Sequence, residues 1–161
     1  MYIIAHRGNL NGINQKCEND PSYLQKAIDL NFFVETDIWH INNKFFLGHD
    51  KPDYGCDFRW FIDRIDKLWI HCKNIEALNY FHSNFVFYTF NYFWHQEDDY
   101  TITSQGHIWA YPGKLLNKEC VMVMPEWDDP TFEKIKEVEC LAICSDYVSK
   151  LKDIIPNVQS R

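Results

Sequence analysis

Glu35 and Asp37 stand two residues apart inside an apolar run at residues 32–38. On an extended chain, side chains two apart share a face about 6.6 Å apart. The two carboxylates therefore point together, while Val34, Thr36 and Ile38 point the other way. Such a pair repels itself unless a cation lies between, and it suits a hard divalent ion, Mg²⁺, Mn²⁺ or Ca²⁺. His71 and Lys73 repeat the parity on a later run, His6 closes the first apolar run, and His49-Asp50 closes the third extended piece. Imidazoles exchange protons near neutral pH, so two of them beside a cation suit acid–base cleavage of a phosphate ester. Each residue also has a plainer reading: a solvated acidic edge, a satisfied surface histidine at position 6, a solvated Lys73, an ordinary Glu18 upstream of a helix. Those plainer readings must all hold at once, because four strand ends carry ionisable groups in order along the chain.

The elements that would position these groups alternate. Short strands are predicted at residues 2–5, 32–38, 44–47, 68–72, 85–90, 121–124 and 141–144, with shorter ones at 100–104 and 107–111 around Gln105-Gly106. Helices are predicted after Asp20-Pro21 (Leu24, Ala27 and Ile28 at helical spacing), over Phe58, Phe61, Ile62 and Ile65, after the cap Asn74, after Asp129-Pro130 (Phe132, Ile135, Val138), and after Ser145 as a cap. Strands alternating with helices imply parallel βαβ units, whose ligands gather at the carboxyl ends of the strands. The expected class is α/β, with residues 1–161 forming a single domain.

Composition narrows the partners. A net charge of −7 disfavours a general nucleic-acid or anionic-membrane binder, since phosphate polymers need a basic surface, but a local positive pocket for a small phosphorylated substrate remains open. We expect no signal peptide, because residues 1–5 run directly into His6-Arg7, and no stretch approaches a transmembrane span. The six cysteines (17, 56, 72, 120, 140 and 144) have no CxxC spacing, which suits reduced thiols and a cytoplasmic location. Aromatics reach 17%, and such rings ordinarily fill cores.

Ala5-His6-Arg7-Gly8, Glu18-Asn19, the helix carrying Ala27, Val34-Glu35-Thr36-Asp37 and Gly48-His49-Asp50 follow one another within the first fifty residues. In order and spacing this string is similar to the glycerophosphodiester phosphodiesterase family, one of the phospholipase-C-like phosphodiesterase barrels. Later in the chain, Ile70-His71-Cys72-Lys73 lies where the family has an acidic residue two before a lysine, and Ile143-Cys144-Ser145-Asp146-Tyr147 resembles its last strand. The resemblance implies a TIM-type (β/α) barrel, here shortened, with some helices replaced by loops, especially between Phe90 and Val121. It also implies catalytic histidines at His6 and His49, a divalent ion on Glu35 and Asp37, and a phosphate site lined by Arg7, Glu18 and Lys73. Asp50 would steady the loop that carries His49. His71 replaces the family's third acidic ligand. An imidazole there suits Mn²⁺ or Zn²⁺ better than Ca²⁺ and should weaken Mg²⁺ binding; the alternative is that His71 contacts substrate while water fills the coordination position.

The expected activity is metal-dependent hydrolysis of glycerophosphodiester-like or related small phosphodiesters in lipid metabolism, with His6 as base and His49 as acid. Two alternatives remain: a phospholipase-D-like or sphingomyelinase-D-like enzyme acting on a lipid head group, and a non-catalytic phosphate-ligand binder. An apolar rim, for which Tyr92-Phe93-Trp94 is the sequence candidate, would favour the first. His40, His82, His95 and His107 are read as structural, and Lys114 as a second phosphate contact.

Overall fold

A computed structural model describes residues 1–84 and 87–155. Its backbone is one mixed sheet. Strands β1 (Tyr2–His6), β2 (Phe33–Ile41), β5 (Leu68–Cys72), β6 (Asn91–Phe93), β8 (Ile108–Ala110), β9 (Cys120–Val123) and β10 (Ala142–Ser145) run parallel. Their spatial order is β6-β5-β2-β1-β10-β9-β8. Strands β3 (Lys44–Leu47) and β4 (Tyr54–Cys56) form a meander on the far end of β2, and β7 (Tyr100–Ile102) pairs antiparallel with β8. The α/β class is as expected.

Both faces of the parallel strands are buried, which explains why β1, β5 and β10 read as nearly continuous apolar runs. On the outer face, Ile3, Ala5, Val34, Ile70 and Ile143 pack in one core with Leu24 and Ala27 of α1 (Pro21–Asp29), Phe61 of α2 (Phe58–Ile62), Ala77 and Phe81 of α3 (Ile75–Ser83), and Val148 and Leu151 of α4 (Val148–Ile154). On the inner face, every parallel strand contributes to a second core: Ile4, Phe33, Trp69, Phe93, Trp109, Val121, and Ala142 with Cys144. The sheet must curl for its two ends to meet there. Trp109, from one end, lies 4.6 Å in ring-centroid distance from Phe93 and 5.9 Å from Trp69 at the other end.

The curl stops short of the expected closed TIM-type barrel, since no ladder joins β6 to β8 among the described residues. The turn that follows β7 bridges the opening. Ser104 N donates to Tyr92 O (2.8 Å), Tyr92 N donates to Ser104 Oγ (3.0 Å), and Ser104 Oγ donates to Phe90 O (2.9 Å). Thr101 Oγ1 donates to Trp94 O at 2.9 Å. No α-helix is formed between β6 and β10 among the described residues, so this flank is covered by loops.

Three further expectations are corrected. The helix after Asp129-Pro130 is reduced to a 3-10 turn, Lys134–Glu137. Asp129 spends its carboxylate on Thr131 and Lys134, and Phe132 adopts φ 63°, a left-handed conformation that a helix of L-residues does not continue. The strand expected at residues 85–90 is displaced to Asn91–Phe93; residues 85 and 86 lie outside the described residues, while Phe87 and Tyr88 turn back onto Asn84 O. Ser145 ends β10 instead of capping α4, its hydroxyl bonded to Glu126.

Two N-caps form where expected. Asp20 accepts from Ser22 N and Tyr23 N with Pro21 in the first turn, and Asn74 accepts from Ala77 N. Each stabilises its helix by about 1 kcal/mol.

If the Ser104 hydroxyl spans the open side of the sheet, Ser104→Ala should lower stability by about 1–3 kcal/mol in urea unfolding. A loss below about 0.5 kcal/mol, the range of ordinary surface substitutions, would show that the bridge carries nothing.

Candidate active site

The inward parity of the strands extends beyond the apolar inner core to a polar end. Above Ile4 comes His6; above Phe33 come Glu35 and Asp37; above Trp69 come His71 and Lys73; above Cys144 comes Asp146. The ladders set these residues level, with His6 opposite Glu35 and Asp37 opposite His71. They surround a cleft of about 490 Å³ whose lining includes His6, Arg7, Glu18, Glu35, His49, His71, Lys73 and Asp146.

Asp37 is fully buried and held from several segments. Asn19 Nδ2 donates to its Oδ2 at 2.9 Å and Arg7 Nε lies 3.2 Å from the same oxygen. On the other side, His71 Nδ1 stands 3.0 Å and Lys73 Nζ 3.5 Å from Oδ1. Oδ1 nonetheless takes no aligned hydrogen bond among the described residues. Burial pushes the Asp37 pKa up, but the pairing with His71 and the charges of Arg7 and Lys73 win, holding it well below the usual carboxylate range. Glu35, also buried, goes the other way: desolvation and the neighbouring Asp37 charge raise its pKa against the pull of His6, His71 and Arg7. Its Oε1 lies 3.9 Å from His71 Nδ1.

The two histidines proposed for catalysis face the same cleft with different partners. His6 Nδ1 is 2.8 Å from Asp146 Oδ1, a buried carboxylate that also accepts from Asn9 Nδ2 (2.8 Å), and His6 Nε2 is 4.0 Å from Glu35 Oε2. Burial lowers the His6 pKa, but the Asp146 hydrogen bond and the Glu35 charge outweigh it, so the net shift is upward. His49 Nδ1 is 2.6 Å from Asp50 Oδ1, and Asp50 is almost fully exposed. Burial, with Arg7 and Lys73 nearby, lowers the His49 pKa despite Asp37 and Asp50. Gly48 makes the His49 turn possible: at φ 144°, an added Cβ would stand 2.2 Å from Lys51 O. Gly48 O also accepts from Trp39 Nε1 (2.7 Å).

Glu18 accepts from Arg7 NH1 (3.3 Å) and Asn9 Nδ2 (2.9 Å), so it orients the guanidinium at the cleft wall. Asp50 lies beside His49 outside the cleft lining. Lys114 is not brought in; its Nζ pairs with Asp99 at 2.7 Å. Tyr92 and Phe93 are buried, and the apolar rim is formed elsewhere, by Ile13, Tyr111 and Trp127, which are 61%, 42% and 59% exposed. His40 stacks on Phe45, His82 Nδ1 meets Tyr92 OH, and His107 lies against Trp69. His95 is among the residues lining the cleft, and its carbonyl meets His71 Nε2 at 2.9 Å.

Asp146, Asn9 and Asn19 were given no role by sequence reasoning. Asp146 had a signal, since inward parity from Cys144 places it level with His6 once β10 is paired beside β1. Asn19 stood in the Glu18-Asn19 element of the resemblance without a role attached, and Asn9 had no signal, because both act from turns. Compared with family models, curated proteins and solved structures, the chain matches none.

Because the Asp146 carboxylate favours the imidazolium form, Asp146→Asn should lower the His6 pKa and leave that of His49 nearly unmoved, as read by NMR titration of the imidazole protons. An unchanged His6 titration would show that the 2.8 Å contact has no electrostatic weight.

Proposed function

We propose that the chain cleaves small phosphodiesters, glycerophosphodiester-like by its resemblance, with a divalent cation and acid–base catalysis by His6 and His49. The observation that carries this reading is the convergence at one cleft of the His6 and His49 imidazoles, two fixed cations and the Glu35–Asp37 pair, with Asp37 buried just behind the lining. Its finer architecture, an open relative of the TIM-type barrel shortened on one flank, belongs to the same proposal and is supported by parallel strands that follow one another in chain order, β1-β2-β5-β6 on one side and β8-β9-β10 on the other.

The residues suit a divalent ion. Donor atoms of Glu35, Asp37 and His71 lie within 4.8 Å of one another, about twice a metal–ligand distance. Four carboxylates (Glu18, Glu35, Asp37, Asp146) face two fixed cations (Arg7, Lys73), leaving negative charge to balance. A cation held there would draw charge from a non-bridging phosphate oxygen, which lowers the repulsion met by a nucleophile.

Arg7 and Lys73 supply positive charge beside that oxygen, with Arg7 aimed by Glu18 and Asp37. Each histidine is held through Nδ1 by an aspartate, leaving Nε2 to move a proton. The buried Asp146 stabilises a proton on His6, while His49 has only an exposed aspartate and lies near Arg7 and Lys73. This favours His49 as base and His6 as acid, the reverse of the first expectation.

One feature favours the lipid head-group alternative: the exposed Ile13, Tyr111 and Trp127 at the mouth offer an apolar surface to an alkyl or aryl substituent.

His6→Ala and His49→Ala should each lower kcat by about 10²–10⁴ on a chromogenic phosphodiester, and a chelator should abolish turnover. Near-full activity in both variants would overturn the scheme, and ligand binding without turnover by wild type under every metal would favour the non-catalytic reading. Trp127→Ala should raise KM for long-chain phosphodiesters and spare glycerophosphodiesters if the apolar rim holds the substituent; equal KM values for both would remove the lipid alternative.

A further inference from the structure

We infer that the cation seat is a mixed nitrogen–oxygen site in which His71 coordinates through Nδ1, and that it selects Zn²⁺ and Co²⁺, then Mn²⁺, over Mg²⁺ and Ca²⁺. The inference rests on the proposed cation seat and goes beyond it in naming the coordinating atom, the lock that presents it and the class of metal.

The lock is the backbone of β6's exit. His71 Nε2 lies 2.9 Å from the carbonyl oxygen of His95. A carbonyl only accepts, so Nε2 must carry a proton. The ring is also stacked on Phe93, with centroids 5.1 Å apart and planes 4° apart, which restrains it from turning away. Nδ1 is thereby aimed at Asp37 Oδ1 (3.0 Å) and Glu35 Oε1 (3.9 Å). A nitrogen lone pair facing two carboxylates is repulsive unless a positive centre lies among them. Without an ion, a proton on Nδ1 supplies it through the 3.0 Å pairing with Asp37, but no aligned hydrogen bond reaches Oδ1 among the described residues, and a divalent ion can replace that proton. A buried oxygen in that position suits an ion shared by all three donors. A histidine whose second N–H is given to a backbone carbonyl is also the usual support of a metal-binding imidazole.

The donors then decide which ion. Asp37 Oδ2 accepts from Asn19 and lies 3.2 Å from Arg7 Nε, and Lys73 stands 3.5 Å from Oδ1, so this one carboxylate is partly neutralised although the site as a whole keeps negative charge, and an ion that depends on hard oxygen ligands gains less from it. Mg²⁺ and Ca²⁺ depend on oxygen donors, whereas an imidazole nitrogen adds affinity that rises from Mn²⁺ to Co²⁺ and is retained by Zn²⁺.

The test is calorimetric titration of chelator-treated, dialysed full-length protein with each dication, without substrate. Zn²⁺ and Co²⁺ should bind at least about tenfold tighter than Mg²⁺, and His71→Glu should shift that ratio toward Mg²⁺ and Ca²⁺ by on the order of 10- to 100-fold. Equal affinities in wild type, no binding, or an unchanged ratio in a folded His71→Glu variant would overturn the inference. Should that variant not fold, ¹⁵N-histidine NMR of wild type decides. Zn²⁺ should shift the Nδ1 resonance of His71 while Nε2 keeps its proton; an imidazolium protonated on both nitrogens with Zn²⁺ present would overturn it. Selective binding without turnover of any phosphodiester would support this inference and overturn the proposed function. Mg²⁺-preferring binding with turnover would do the reverse.

Discussion

A carboxylate with no exposure to water must be surrounded by partners, and Asp37 is the point on which the polar end of the sheet depends. Stripping one partner from a buried ionic group typically costs about 3–5 kcal/mol, because the remaining charge is left uncompensated. Asp37 draws Arg7 from the end of β1, Asn19 from the turn before α1, and His71 and Lys73 from the end of β5. The backbone follows the side chains. Arg7 and Asn19 both take positive φ (51° and 64°), a conformation uncommon for non-glycine residues other than asparagine, so the one at Arg7 is the more telling. Asn19 Oδ1 also accepts from Asp37 N and Thr36 Oγ1, tying the turn to the strand at three points. A site assembled this way is pre-formed, with its cost already met in folding.

The same dependence explains how so short a chain manages a curled sheet. Helices cover the flank that carries Asp37, Glu35 and His6, where α1, α3 and α4 pack against β1, β2 and β5. The opposite flank has loops in their place, and large rings fill the interior there: Phe93, Trp69 and Trp109 meet across the gap that β6 and β8 leave unpaired. Rings of this size each bury some 150–250 Å² and can stand in for several aliphatic side chains. The division of labour also shapes the cleft, with ions on the helix-backed side and apolar groups toward Trp109, Val123 and Trp127.

Much of this was legible in the sequence, for local reasons. The strands at Lys44–Leu47 and Leu68–Cys72 and the helix begun by Asp20-Pro21 carry their own signals in apolar spacing and capping chemistry. The parity of Glu35 with Asp37 and of His71 with Lys73 placed those side chains on the inner face before any pairing was known. Long-range partners were not legible. Asp146 lies 140 residues from His6, and their contact exists only because β10 pairs with β1. The His95 carbonyl has no side-chain signature at all. The turn at residues 129–134 was misread because Asp129 resembles a helix cap and instead satisfies itself locally, bonding Thr131 and Lys134.

Anomalous diffraction from crystals equilibrated with Zn²⁺ would examine most directly whether these groups form one cation seat. The account predicts a single strong peak within bonding distance of a Glu35 oxygen, an Asp37 oxygen and His71 Nδ1, with His71 Nε2 still donating to the His95 carbonyl. A map with no density there and His71 closed on Asp37 as a bare ion pair would contradict it.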